Sequence, residues 1–196
     1  MQSSTRSRSA DPRPARTQAA IFAAVEELAA EPDGDMSVNA ILRASGVSRS
    51  GFYAHFTGLD DLLVAMFSAA YRDIASTYTA TSALHPARAA RRAQEEVVAF
   101  INERRAFIRS SLDWPVGSRA HENVTEAYAE GIRAAVQVRK DAAPAGVDVD
   151  DLSLFIAGGA VAMLTKWIRE DDDTIPQDVV VDRLLSVMPA WLIGSD

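Results

Sequence analysis

Residues 37–56, SVNAILRASGVSRSGFYAHF, decide the fold of this chain. Ser37 and Ser48 each precede a short segment in which apolar residues have helical spacing, and serine is a preferred N-cap. Gly46 stands between the two segments and can adopt the positive φ that an abrupt turn requires. The pattern therefore predicts two short helices joined by a tight turn, which is a helix-turn-helix.

The residue types of this motif suit a first helix that packs against the DNA backbone and a second helix that enters the major groove. Ile41, Val47 and Phe52 are predicted to fill the space between the two helices. A second helix that begins after Ser48 leaves backbone N–H groups that suit a phosphate oxygen. The polar residues predicted on its exposed side are Arg49, Ser50, Tyr53 and His55. A helix hairpin within any all-helical protein remains open as the alternative.

Helical periodicity also governs the rest of the chain, so we predict an all-α fold of nine helices. The clearest pattern lies in helix 4, about 58–80, where apolar residues recur at steps of three and four from Leu59 to Ile74. Its Thr/Ser-rich end, around residues 76–82, predicts the link to the next helix, and the last helix is predicted over 178–193. The nine helices are predicted to begin near Ala15, Ser37, Ser48, Leu59, Pro86, Phe107, Arg119, Asp151 and Asp178.

The composition is that of a folded chain without catalytic or metal-binding chemistry. Hydrophobic residues make up 48% and charged residues 24% of the 196 residues, and both values are ordinary for a globular protein. Cysteine is absent, and the three histidines are not at metal-ligand spacing. The sequence shows no Ser/His/Asp set and no phosphate-binding loop. We therefore predict no enzyme activity, no metal and no cofactor.

The charge is distributed unevenly along the chain. The net charge is −7, and residues 1–56 carry six arginines and six acids, so the whole excess lies after residue 56. Contact with a polyanion is therefore predicted through the N-terminal third. Residues 1–11 form a basic arm that is predicted either to enter a minor groove or to be a solvated tail. The uncharged stretch 152–165 is shorter than the about 20 residues of a membrane span, so we predict a buried helix and a cytoplasmic protein.

The motif resembles the signature of the TetR family of bacterial transcriptional regulators. The resemblance rests on Gly46-Val47-Ser48-Arg49, on Phe52-Tyr53-Ala54-His55-Phe56 and on Leu62, and it covers about residues 12–72. It implies a DNA-binding domain at residues 12–58, followed by a ligand-binding and dimerisation domain at residues 59–196. It further implies a homodimer, in most members a repressor, that a small molecule releases from a palindromic operator.

Carried over by position, the resemblance implies DNA contacts from the second helix of the motif and its flanks. The residues expected to contact DNA are Ser37, Ser48, Arg49, Ser50, Gly51, Tyr53 and His55, of which Tyr53 and His55 match family residues that touch phosphates. Three positions depart from the family pattern: Gly51 stands in place of a common threonine, Ala54 in place of a larger residue, and Leu59 in place of a common lysine. These departures leave open an all-helical interaction module of the same fold with weak or lost DNA binding.

Two further surfaces are predicted in the C-terminal part of the chain. Aromatic faces among the middle helices suit a small apolar or aromatic effector, with plain core as the alternative. The candidates are Phe67, Tyr71, Phe100, Phe107, Trp114, Tyr128 and Trp167. Arg104, Arg105 and Arg109 are predicted on a solvated helix face, with a ligand carboxylate as the alternative. A dimer interface, or else intrachain core, is predicted for Gly158, Gly159, Met163, Leu184, Val187, Met188 and Trp191.

Overall fold

The computed structural model describes residues 13–31, 35–113, 117–170 and 175–194, without the side chains of residues 117 and 118. Within these ranges the chain is helical and has no strand, which confirms the predicted fold class. The predicted basic arm and Trp114 lie outside the described residues. The helices are α1 (Arg13–Ala29), α2 (Val38–Ser45), α3 (Arg49–Tyr53), α4 (Leu59–Thr81), α5 (Pro86–Glu103), α6 (Arg105–Ser111), α7 (Gly117–Val138), α8 (Val149–Arg169), α9 (Gln177–Ser186) and α10 (Ala190–Ile193), with a 3-10 turn at Lys140–Ala142.

The first three helices pack into a small bundle around one aromatic side chain. Phe52 of α3 meets Ile21 and Val25 of α1 and Ile41 of α2 in one core, and all four side chains are fully buried. Val47, in the turn, packs against the same core. The three residues predicted to fill the space between the motif helices therefore do so, and the polar side of α3 is left facing solvent.

α4 joins this bundle to the rest of the chain as one continuous helix. Its start is fixed by Thr57, whose backbone N–H and hydroxyl both donate to Asp61 Oδ2, at 2.9 and 3.3 Å. Asp60 and Asp61 in the first turn also suit the positive end of the helix dipole. The 23 residues of α4 span about 35 Å, and the helix packs against both α5 and α7.

The C-terminal helices form layers around α4 and α7. α4 packs against α7, α7 packs against α8, and α5 lies between α4 and α9. Among the residues that the structure describes, one helix, α8, is long and apolar enough to cross a membrane, judged by length and composition. In its apolar 18-residue stretch, 44% is buried inside the protein. It packs here as a core helix with one side uncovered.

The predicted bounds of helix 4 hold, whereas one other predicted boundary is wrong. α4 runs to Thr81, so the Thr/Ser-rich stretch expected to link it to the next helix is itself helical, and the hydroxyls of Thr79 and Thr81 each donate at 2.8 Å to the carbonyl four residues earlier. The helix predicted over 178–193 is interrupted at Pro189, so two helices, α9 and α10, replace one. Proline lacks the N–H of a helical hydrogen bond and disfavours helical backbone at the residue before it.

Candidate functional site

Side-chain caps fix the geometry of the helix-turn-helix. Ser37 caps α2 by accepting from the backbone N–H of Ala40 at 3.2 Å, and Ser48 caps α3 by accepting from the backbone N–H of Gly51 at 3.1 Å. Gly46 ends α2 with a φ of 66°, in the left-handed region that favours glycine. The two predicted serine caps and the predicted glycine turn are therefore present.

α3 presents a short polar surface to solvent. Ser48, Arg49 and Ser50 are exposed at its start, and the hydroxyls of the two serines lie 3.1 Å apart. Tyr53 is 49% exposed at the end of the helix, and His55 is half-buried just beyond it. The exposed part of α3 and its flanks therefore carries the polar groups that contact with a major groove would use.

Ser37 and Gly51, which are both expected to contact DNA, are constrained by their neighbours in the chain. Ser37 Oγ, besides capping α2, donates to Asp35 Oδ2 at 3.0 Å. A Cβ atom at Gly51 would meet Val47 Cγ1 at 3.0 Å and Ser48 Oγ at 3.2 Å, so the position has little room for a side chain. The glycine that replaces a common family threonine therefore has a packing reason in this chain.

Asn39 is a member of this surface that the sequence analysis missed. It is exposed on α2, and its Oδ1 accepts a hydrogen bond from Arg49 Nη2 at 2.6 Å. A guanidinium has five N–H donors, so this bond leaves donors for a phosphate or a base edge. The only sequence signal is a polar residue on the outer side of α2, because a contact between two helices leaves no trace in the periodicity of either.

A cavity of about 980 Å³ lies between α4, α6, α7 and α8. This volume is in the range of pockets that enclose small molecules. Its wall is mainly apolar and includes Leu63, Phe67, Ile101, Ile108, Val124, Val161 and Leu164. Charged and polar residues that also line it are His121, Glu122, Lys166, Arg169 and Glu170. The arrangement is an apolar chamber with polar groups of both charge signs.

Four of the seven predicted aromatic pocket residues come together. Phe67 lies 5.2 Å from Phe100 and 5.4 Å from Tyr71 between ring centroids, and Tyr71 stacks on Tyr128 at 4.7 Å. Phe67 and Tyr71 line the large cavity, whereas Tyr128 borders a smaller one of about 50 Å³ beside α5. There the Tyr128 hydroxyl donates to Gln94 Oε1 at 2.8 Å, and burial raises the pKa of Tyr128 to about 12.

The other described aromatic candidates are packed in the body of the protein. Phe107 is fully buried in the core. The Trp167 ring is covered by the guanidinium of Arg105, whose Cζ lies 4.7 Å from the ring centroid. Arg105 also donates to the carbonyls of Trp167 and Glu170, at 2.7 and 3.1 Å, at the end of α8. Arg105 therefore satisfies carbonyl groups at the C-terminal end of α8.

Arg104 does not face solvent, and that prediction is wrong. The side chain is buried where α1 meets α6, and it forms an ion pair with Glu26 of α1. Its Nη1 donates to Glu103 Oε2 at 2.9 Å and to the Phe100 carbonyl at 3.0 Å. The Phe100 ring covers the guanidinium, with Cζ 4.3 Å from the ring centroid.

One side of α8 is apolar and uncovered. Leu154 and Phe155 are 51% and 79% exposed, and Val187 at the end of α9 is 66% exposed. A Cβ atom at Gly158 or Gly159 would meet nothing within 4 Å. The two glycines therefore lie outside the intrachain core, which was the alternative to their place in a dimer interface.

Not all of the residues predicted for the dimer interface are exposed to solvent. Leu184 is fully buried, because α9 packs its apolar side on α5 within the same chain. Its assignment to a dimer interface is therefore wrong in this structure. Met163, Met188 and Trp191 are half-buried. The sequence analysis missed Leu154 and Phe155, although they are apolar residues on the same helix as the two glycines.

These features define a class of protein: an all-helical chain with an exposed helix-turn-helix at one end and a cavity-bearing helical body. Residues 21–66 match the model of the bacterial regulatory proteins of the tetR family. This match lies on the helix-turn-helix part of the chain, confirms the predicted resemblance to the TetR family and supports DNA-binding transcriptional regulation.

Most of the chain shares its fold with a solved structure. A protein from Syntrophomonas wolfei str. Goettingen, described as a TetR-family transcriptional regulator, is similar over 93% of this chain and 97% of that chain, with a TM-score of 0.57. The two sequences are 14% identical, so the likeness concerns the fold alone. The comparison with curated proteins finds no match.

Proposed function

We propose that this regulator is a cytoplasmic homodimeric repressor that leaves a palindromic operator when a small, largely apolar effector binds. The family supplies DNA binding and transcriptional regulation, and the dimer, the repression and the effector are the proposal. α3 has only five helical residues, so one copy reaches few base pairs. Two-fold symmetry doubles those contacts on a palindrome.

The uncovered side of α8 supports the dimer. A soluble chain seldom exposes contiguous apolar surface without an interaction that covers it. Phe155 and Leu154 supply that surface, and Gly158 and Gly159 leave the backbone accessible for close helix packing. The same side of α8 in a second copy, related by a two-fold axis, matches this surface with an identical one.

The large cavity carries the effector proposal. Its apolar wall favours a hydrocarbon or aromatic body, because burying such a body removes apolar surface from water. Its charged lining residues, among them Lys166, Arg169 and Glu122, suit a polar group on the same molecule. We therefore expect an effector with an apolar body and a polar end.

A gel-shift assay with the full-length protein tests DNA binding. The probes are the region upstream of its own gene and a scrambled duplex of equal length, at several salt concentrations. We expect preference for the upstream region and an affinity that falls steeply with salt, because released counterions drive phosphate contacts. Equal binding to both duplexes would contradict specific regulation and favour the interaction module with lost DNA binding.

A thermal-shift screen tests the effector part of the proposal. A compound that binds the folded state raises its melting temperature, and the rise grows with the logarithm of the compound's concentration above its dissociation constant. We expect hits with an apolar body and a polar end, and the same compounds should release the upstream duplex in the gel shift. Hits that stabilise the protein but leave its DNA affinity unchanged would contradict effector-controlled repression.

A further inference from the structure

Two attachments of the DNA-binding domain, residues 13–58, to the helical body bear on the orientation of the domain. The first attachment is covalent, because α4 begins at Leu59 directly after the domain and continues into the body. The second is a contact between α1 and α6. A domain held by that link alone would be able to swivel about it, so the contact between α1 and α6 contributes to a single orientation of the domain.

The charged part of this second contact is the Arg104–Glu26 pair. Arg104 lies between α5 and α6, and Glu26 lies on α1, so the pair joins the body to the helix that carries the DNA-binding domain. The guanidinium is held from the body side by the Phe100 carbonyl, by Glu103 and by the Phe100 ring. Arg104 is thus held in place by residues of the body, and Glu26 is its ion-pair partner on the DNA-binding domain.

We propose that the Arg104–Glu26 pair is a positioning contact that sets the orientation of the DNA-binding domain and thereby the operator spacing that the dimer accepts. The inference rests on the proposed dimeric function. Two half-sites read by one dimer lie about 34 Å apart along the DNA. One added base pair moves a half-site by about 3.4 Å and turns it by roughly 34°, so small changes in domain orientation matter.

The contact has features that a purely stabilising one would lack. Arg104 is buried while Glu26 is exposed, so the pair is only half-buried, and desolvation of the guanidinium offsets part of the attraction between the two charges. Arg104 Nε is buried without a hydrogen-bond partner, so the guanidinium is also incompletely satisfied. The pair nevertheless constrains the orientation of the DNA-binding domain relative to the helical body. A dimer needs such a constraint to discriminate between operators with different half-site spacing.

The experiment measures operator spacing rather than affinity alone. An operator is first selected from a random duplex library with the full-length wild-type protein, and its centre is then lengthened or shortened by one or two base pairs. The variants are Arg104→Met, which keeps an apolar stem without the charge, and Glu26→Gln, which keeps the shape of a partly exposed side chain. Glu27→Gln is the matched control, because Glu27 is the exposed neighbour on the same helix.

We expect wild type and Glu27→Gln to lose on the order of tenfold or more in affinity when the centre changes by one base pair, as in the loss of contacts to part of a site. Arg104→Met and Glu26→Gln should lose less than about threefold for the same change, since their domains are free to follow the displaced half-site. Their affinity for the original operator should fall, because a looser domain loses more freedom on binding.

Two results would overturn the inference. If both pair variants keep the wild-type spacing profile, the contact does not set the orientation, whatever its effect on the melting temperature. If Arg104→Met fails to fold, Glu26→Gln decides by the same profile. A wild type that selects no sequence would overturn the proposed function and this inference with it, whereas a specific wild type with unchanged variants overturns the inference alone.

Discussion

Replacement of Gly159 by leucine is the sharpest test of the proposed dimer. Within one chain the substitution is expected to cause no clash, because a Cβ atom at this position has nothing within 4 Å. Leucine also has a higher helix propensity than glycine. Any loss of association in Gly159→Leu would therefore come from the contact between subunits and not from damage to the fold.

The size of the effect follows from the symmetry of the interface. Overpacking a close contact costs about 1–3 kcal/mol, and a two-fold interface contains the position twice. The dimer should therefore be weakened by roughly 2–6 kcal/mol, which raises its dissociation constant on the order of 30-fold to 10⁴-fold. Operator affinity should fall in parallel, because one rigid body no longer holds both half-sites.

Light scattering over a dilution series measures the association, and circular dichroism checks that the variant stays helical. Gly159→Ala is the matched control, because it raises helix propensity with one methyl group, and we expect it to remain more dimeric than the leucine variant. Phe155→Ser approaches the same surface by removing apolar area and should also weaken the dimer. A Gly159→Leu protein as dimeric as wild type at every concentration would refute this placement of the interface.

Four other substitutions test individual contacts. Tyr53→Phe should weaken binding to operator and scrambled duplexes by similar factors, as expected for a lost phosphate contact, and parallel gel shifts would expose any sequence dependence. If the Arg49 guanidinium reads a base edge, Arg49→Ala should reduce the difference in binding free energy between operator and scrambled duplex by about 1–3 kcal/mol. Asn39→Ala should reduce this difference less. An unchanged difference for Arg49→Ala would make Arg49 a contact to the DNA backbone. Burial raises the pKa of Tyr128 to about 12 from an ordinary value of 10.0. As the pH rises, the unfolded chain therefore loses this proton before the folded chain does, which favours unfolding. The free energy of unfolding of the wild type should fall by about 2–3 kcal/mol between pH 10 and 12. Urea unfolding from pH 9 to 11.5 should show a shallower decline for Tyr128→Phe, and equal slopes would contradict the assignment.

The helix-turn-helix could be predicted from the sequence because its determinants are local. Ser37 and Ser48 cap the two helices through backbone N–H groups three residues away, and Gly46 supplies the left-handed turn between them. The long periodic run of α4 is local in the same sense, since residues three and four apart share one helix face. Even the mistaken last helix had a local signal in Pro189, which the apolar periodicity outweighed.

The sequence by itself determined which segments are helical and which face of each helix is apolar, because both depend on residues within a few positions of one another. Only the tertiary structure decided what covers each face. Leu184 and Phe155 both lie on amphipathic helices, yet α5 covers Leu184, whereas none of the residues that the structure describes covers Phe155. Arg104 belongs to a charged run, yet it is buried because α1, 78 residues earlier, places Glu26 beside it. Burial is set by partners distant in the sequence, and periodicity carries no information about them.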